Sequence, residues 1–215
     1  MNAIVTIFLL ATLTLLPTAR VALGADETDK PVARPEIRVG DRWSFRRIDK
    51  ITNRTMYDYD SRVSFVGPNV IIVVTGVRGK EGVDDSHWTP EWNPMLVLGN
   101  VITPHGGWFK FPLAVGATHD IAYTAQRPNQ EFKNERKTTV AGWEEISVPA
   151  GKFRALKLEI KGVWQSLTWR GGGTDMTTIW YVPEVKRWVR LDTESSWSSG
   201  HSSESHELLE YSLQK

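Results

Sequence analysis

Thr138-Thr139-Val140-Ala141-Gly142-Trp143-Glu144-Glu145-Ile146-Ser147-Val148-Pro149-Ala150-Gly151-Lys152-Phe153-Arg154-Ala155-Leu156-Lys157-Leu158-Glu159-Ile160-Lys161 is the stretch whose pattern decides the fold class. It reads as a strand, an Ala141-Gly142 turn, a strand over Trp143 to Val148, a tight Pro149-Ala150-Gly151-Lys152 connection and a returning strand from Phe153. In that last strand Leu156, Leu158 and Ile160 point one way while Lys157, Glu159 and Lys161 point the other, because successive side chains of an extended chain alternate between faces. One side is therefore core and the other wet, and a slip of one residue would expose all three apolar groups.

The same grammar extends in both directions. Downstream, Gly171-Gly172-Gly173 separates a strand around Val163 to Trp169 from one over Thr177 to Val182, and Pro183-Glu184-Val185-Lys186 turns the chain into Trp188 to Thr193. Glu204 to Leu213 alternates as a strand through Leu209, Tyr211 and Leu213, a reading preferred here over a helix begun by Leu208 and Leu209. Upstream, Trp43 and Phe45 alternate with Arg42, Ser44 and Arg46, and Val63 and Phe65 do likewise. After a Gly67-Pro68-Asn69 turn, Val70 to Val74 is a continuous apolar run, as expected of a strand covered on both faces. Gly79 to Gly107 is broken by Pro90, Pro94, Pro104 and a Gly106-Gly107 pair, and reads as a long packed loop. Trp108, Phe109, Phe111, then Ile121 and Tyr123, resume the pattern. The expectation is an all-β protein: a single strongly curved antiparallel sheet forming an open barrel or half-barrel.

Composition narrows the function classes. Across 215 residues, 26 Lys and Arg stand against 25 Asp and Glu, a net charge of +1. The basic residues are scattered among acids, which excludes a nucleic-acid binder living on phosphate attraction. Without cysteine there is no disulfide, thiolate nucleophile, Cys-ligated metal or acylated lipoprotein cysteine. Ile4 to Leu16 is an apolar run ending at Pro17, followed by Ala22-Leu23-Gly24 before Ala25, the pattern of a signal peptide over residues 1–24. Its apolar part is shorter than a permanent span of about 20 residues. Residues 25–36, with Pro31 and Pro35, read as a flexible lead-in, and 37–215 as a single β domain with the long loop at 79–107. Periplasmic or secreted residence follows, with no membrane span after signal removal.

Val148-Pro149-Ala150-Gly151-Lys152-Phe153, Trp180-Tyr181-Val182-Pro183-Glu184-Val185 and Glu207-Leu208-Leu209-Glu210-Tyr211, with Val39-Gly40-Asp41-Arg42-Trp43 and Phe111-Pro112-Leu113-Ala114-Val115-Gly116, form an ordered set. This set resembles exported bacterial proteins of a domain-of-unknown-function family carrying V-P-A-G-x-F and W-Y-x-P motifs. The resemblance implies a barrel-like antiparallel β domain in the periplasm or outside the cell, and it carries over no catalytic residues. His119 departs from it, standing where an aromatic ring is expected.

Ten tryptophans are the unusual feature. Each buried indole removes roughly 150–250 Å² from water, an upper gain of about 4–6 kcal/mol. Core packing accounts for Trp43, Trp143 and Trp180. Trp88 and Trp92 differ, since they sit in the proline-rich stretch beside His87 and acidic residues, where an aromatic face can line a cavity mouth. Trp108 follows that stretch. Trp188 shares its alternation with Arg190 and Asp192 and reads as partly exposed. The candidate ligand-binding residues are thus Trp88, Trp92, His87, Trp108 and Trp188.

No catalytic or metal-binding set emerges. Asp84-Asp85-Ser86-His87 and His201 with Glu204 and His206 lack ligand spacing, and the serines after Ser195 have no nucleophile-elbow context. The leading expectation is non-catalytic binding of a lipid or other amphipathic molecule between the curled sheet and the 79–107 loop, with no cofactor. The alternatives are an envelope structural or protein-partner-binding module with a filled core, and a sugar-binding or sugar-active protein using acids such as Glu144 and Glu145.

Overall fold

A computed structural model describes residues 30–215. The signal-peptide reading of 1–24 lies outside the described residues. Twelve strands run in sequence order, each antiparallel to the next: β1 (Arg42–Asp49), β2 (Arg54–Val66), β3 (Ile71–Val77), β4 (Asp84–Trp88), β5 (Pro94–Val97), β6 (Asn100–Thr103), β7 (Thr118–Arg127), β8 (Gln130–Val148), β9 (Gly151–Ser166), β10 (Gly172–Val182), β11 (Arg187–Trp197) and β12 (Gly200–Ser212). The all-β class and the strong curvature stand, and the curvature goes to completion. β12 pairs with β1, Trp43 opposite Tyr211 and Phe45 opposite Leu208, so the sheet is a closed barrel with no open seam. Closure satisfies the backbone groups that an edge strand would leave unpaired.

The decisive hairpin is β8 and β9, paired from Phe132 opposite Ser166 to Val148 opposite Gly151, and the expected Ala141-Gly142 turn is instead a bulge within the continuous strand β8. Leu156, Leu158 and Ile160 are buried inside, while Lys161 is exposed on the outer face. On β8 the exposed Lys133, Glu135 and Lys137 also face outward. A barrel facing hydrocarbon would carry apolar side chains there. Beyond Val140 the hairpin tip folds back, and the Ala150 N–H donates to the Leu208 carbonyl of β12 at 3.0 Å.

Several expectations need correction. The Val70–Val74 strand is not hidden on both faces: Ile71 and Val73 are buried inside, but Ile72 and Val74 are only half-buried outside. A closed barrel has one dry face, so alternation suffices. Phe65 leaves the core because a bulge at Ser64 sets Val63 opposite Val73 and Phe65 opposite Ile72, turning the ring outward. The 79–107 stretch is not one loop but holds β4, β5 and β6, with Pro94 opening β5 and Pro104 following β6, positions where a missing N–H costs the ladder little. Within the lead-in, Val32 exchanges two backbone hydrogen bonds with Leu113, each 2.8 Å. The 204–213 segment is strand as expected, running within β12 up to Ser212.

Asp41 latches the seam. Fully buried, its carboxylate accepts from the Gln214 N–H at 2.7 Å and the Arg38 N–H at 3.0 Å, and faces Lys186 Nζ at 3.4 Å. It thereby ties the start of β1 to the end of β12 and to the 3-10 turn at Pro183–Val185. Removing it leaves two amides and an ammonium without their partner. Asp41→Ala is expected to cost about 2–4 kcal/mol, read as a lower urea midpoint with an unchanged slope; a midpoint equal to wild type would refute the latch.

Candidate functional site

The barrel interior divides into two halves. At the base, where β4, β10 and β12 end and β1 and β11 begin, aromatic rings fill the space. Trp88 meets Trp92, Trp108 and Trp188 at centroid distances of 5.9, 5.6 and 5.7 Å, and Trp43 meets Trp92 at 5.6 Å. Indole N–H groups are used as well: Trp43 donates to the Val185 carbonyl at 2.9 Å and Trp92 to the Lys186 carbonyl at 2.8 Å. Buried Asn93 stitches the base by exchanging hydrogen bonds with the Phe109 backbone, at 2.9 and 2.7 Å.

Within these rings lies the Arg187 guanidinium, 4.2 Å from the Trp188 centroid, 4.7 Å from Trp92 and 4.9 Å from Trp43. Its Nε and Nη1 have no hydrogen-bond partner. Burial lowers its pKa from the ordinary arginine value to about 10, so it stays charged at neutral pH. Above it, the Tyr59 hydroxyl shares a 2.8 Å hydrogen bond with His206 Nδ1. Burial holds the Tyr59 phenol well above its usual range and pushes His206 down to about 4, with the Arg47 charge adding to the second shift. His206 is thus neutral at pH 7.

The other half is open. Around the hairpin tips β5–β6, β7–β8, β9–β10 and β11–β12 the barrel holds a cavity of about 780 Å³, lined by rings including Trp88, Trp108, Tyr123, Phe132, Trp164 and Trp169. On its wall Arg136 and Asp175 form a 2.7 Å ion pair with side chains 17% and 10% exposed. They flank Gly162, which stands opposite Arg136 on one side and Asp175 on the other. The Arg136 guanidinium lies 5.2 Å over the Tyr123 ring, whose phenol burial pushes up to about 12. The rim mixes polar residues such as Arg127 and Gln130 with apolar ones: Leu98, held at a φ of 49° and 68% exposed, stands there with half-exposed Trp169 and Trp197.

The sequence-derived candidates are distributed unevenly over this architecture. Trp88 and Trp108 line the cavity. Trp92 and Trp188 lie beneath it in the base cluster, Trp188 in contact with both and Trp92 with Trp88. Trp188 is buried rather than partly exposed because Val189, itself fully buried, is the extra residue of a bulge: Trp180 stands opposite Arg190 and Tyr181 opposite Trp188. Ordinary alternation on β10, with Thr177, Ile179 and Tyr181 inward, leaves Trp180 on the outer face, only half-buried, between Arg190 and Lys157 and bonded to Glu144. Trp143 is likewise half-buried, with Arg154 at 5.4 Å over its ring. His87 does not join the site. Buried Ser86 and Trp88 take the inward positions of β4, so His87 faces outward opposite Ile72. Arg136, Asp175, Trp164 and Trp169 were missed; the signal for the pair was Gly162, a gap in the inward stripe that follows Leu156, Leu158 and Ile160.

No protein-family model and no curated protein matches the chain. Among solved structures, a candidate lipoprotein from Parabacteroides distasonis is similar over 85% of this chain and 100% of that one, at 15% identity and a TM-score of 0.54. A candidate exported protein with a YmcC-like fold from Bacteroides fragilis is similar over the same shares, 85% and 100%, at 14% identity and a TM-score of 0.51. The shared property is the fold.

Two outcomes follow from the buried charges. Because the folded-state pKa of His206 lies below its unfolded value of 6.5, the unfolded chain binds the extra proton first. The associated stability is present above pH 6.5 and is lost as pH falls toward 4. Between pH 7 and pH 5 urea titration should show a loss of about 2 kcal/mol from this group, and His206→Gln should flatten the change over that interval. Arg187→Lys keeps a charge but loses the planar face that stacks on indoles, so it should destabilise by about 1–3 kcal/mol, checked by the thermal midpoint at pH 7; an unchanged midpoint would show that the rings respond only to charge.

Proposed function

We propose that this chain is an exported, non-catalytic protein that holds an apolar or amphipathic molecule in the open half of its barrel. The observation that carries the reading is the cavity of about 780 Å³ walled by aromatic rings, in a protein whose other half is tightly filled. Ligand pockets typically measure roughly 300–1,000 Å³ and are predominantly apolar with a few placed polar groups. The exposed Leu98, Trp169 and Trp197 on the rim offer an apolar path from solvent to the interior. Export is supported by the Ile4 to Leu16 leader and by the fold shared with a candidate lipoprotein and a candidate exported protein.

A filled-core structural module accounts for the base but not for the unfilled half. A sugar-active enzyme is disfavoured by the position of Glu144, which bonds to Trp180 on the outer face. Titrating delipidated protein with N-phenyl-1-naphthylamine tests the binding reading. Its emission should rise and tryptophan emission fall as the probe enters beside the wall indoles. Ala125→Trp, which places an indole in the cavity wall, should weaken uptake by about tenfold or more at an unchanged thermal midpoint. Wild-type protein that leaves the probe dark would end the proposal.

A further inference from the structure

The Arg136–Asp175 pair is costly where it stands. Both side chains are largely buried, and although their charges meet at 2.7 Å, Arg136 Nε and both Asp175 carboxylate oxygens lack a well-directed hydrogen bond. A buried ion pair offsets its desolvation only when its remaining donors and acceptors are also satisfied. Stability alone would be served as well by apolar residues at these positions. Arg136 and Asp175 line the cavity, with their unused atoms tucked just beneath its surface, and the inward residues beyond them toward the base, Thr138, Ile160 and Thr177, are buried. They therefore form a polar floor beneath aromatic walls.

The balance of charge says what that floor accepts. The charged residues lining the cavity are Arg127, Arg136, Asp175 and Glu194, two of each sign. A carboxylate head reaching Arg136 would bring a negative charge against Asp175, and a quaternary ammonium reaching Asp175 would face Arg136 with no hydrogen to donate. A hydroxylated head meets both needs, since each hydroxyl donates one hydrogen and accepts others. Once the two side chains shift slightly toward the cavity, it can give O–H groups to the Asp175 oxygens and receive the Arg136 Nε–H while the pair stays intact. Resting on the binding reading above, we propose that the cavity takes its amphiphile head first, with an uncharged, hydroxyl-bearing headgroup seated on the Arg136–Asp175 pair.

Gly162 makes this seat possible. A Cβ added there would stand 2.7 Å from Asp175 Oδ1 and 2.8 Å from Arg136 Cγ, closer than such atoms approach. Only a residue without a side chain lets the two charges meet across β9.

Displacement of N-phenyl-1-naphthylamine by three amphiphiles of equal chain length, each below its micelle concentration, tests the proposal: monopalmitoylglycerol, palmitate and hexadecyltrimethylammonium. Wild type should be emptied by the glycerol head at a concentration at least about tenfold lower than by either charged head. Arg136→Gln with Asp175→Asn should keep the probe and bring the three heads level. Gly162→Ala should do the same without changing any charge. Equal heads on wild type, or preference for a charged head, would overturn the headgroup assignment while leaving the binding reading in place, and the wild-type ranking decides this whether or not the variants fold. Failure of wild type to take the probe would remove both.

Discussion

A guanidinium with no carboxylate beside it, held inside a ring of tryptophans, is the constraint around which the barrel is organised. Bringing Arg187 out of water costs several kcal/mol, visible in the downward push on its pKa. What offsets that cost is the facing π-systems, each worth about 2 kcal/mol when desolvated. The rings come from far apart in the chain: Trp43 and Phe45 from β1, Trp88 from β4, Trp92 from the following turn and Trp188 from β11. No local piece of the sequence can assemble this cage. The charge is tolerated only when the barrel has closed, so the cage favours the closed sheet over every partly open arrangement of the same strands.

The filled base and the open mouth are complementary consequences of one design. A cysteine-free chain has no covalent staples, and its rigidity must come from packing. Concentrating the large rings at one end provides that packing where β1, β11 and the Pro183–Val185 turn converge. The far end can then leave about 780 Å³ unfilled without loosening the strands that frame it. Between the two halves lies a belt of partly buried polar pairs, Tyr59 with His206 and Arg47 with Glu204, on strands β1, β2 and β12. These strands contribute little to the cavity wall because their inward positions are already occupied by each other.

How much of this was legible depends on whether a feature obeys strand alternation. The β8–β9 hairpin was readable because Leu156, Leu158 and Ile160 keep strict period two against charged neighbours. The tryptophan candidates were readable as a group from their number and their company, and Trp88, Trp92, Trp108 and Trp188 do touch one another. What defeated the reading were single-residue bulges. Val189 reverses parity along β11, so extrapolating from Arg190 and Asp192 puts Trp188 on the wrong side. Ser64 does the same to Phe65. A bulge has no composition of its own, since any residue can be the unpaired one. The short strands β4 to β6 failed for a different reason: four or five residues beside prolines carry too few alternations to register.

The Arg136–Asp175 pair shows the deeper limit. Each residue alone looks like a solvated surface charge on an alternating strand, and only the registers of β8 with β9 and β9 with β10 bring them together over Gly162. The glycine is the link between sequence and chemistry. In a strand whose inward positions are otherwise large and apolar, a missing side chain weakens packing and marks the close approach of something else. Here what approaches is a pair of charges that the barrel holds apart from water yet leaves short of hydrogen bonds. Such a pair adds little to folding, so its place on the cavity wall accords with the proposal of a hydroxyl-bearing guest there.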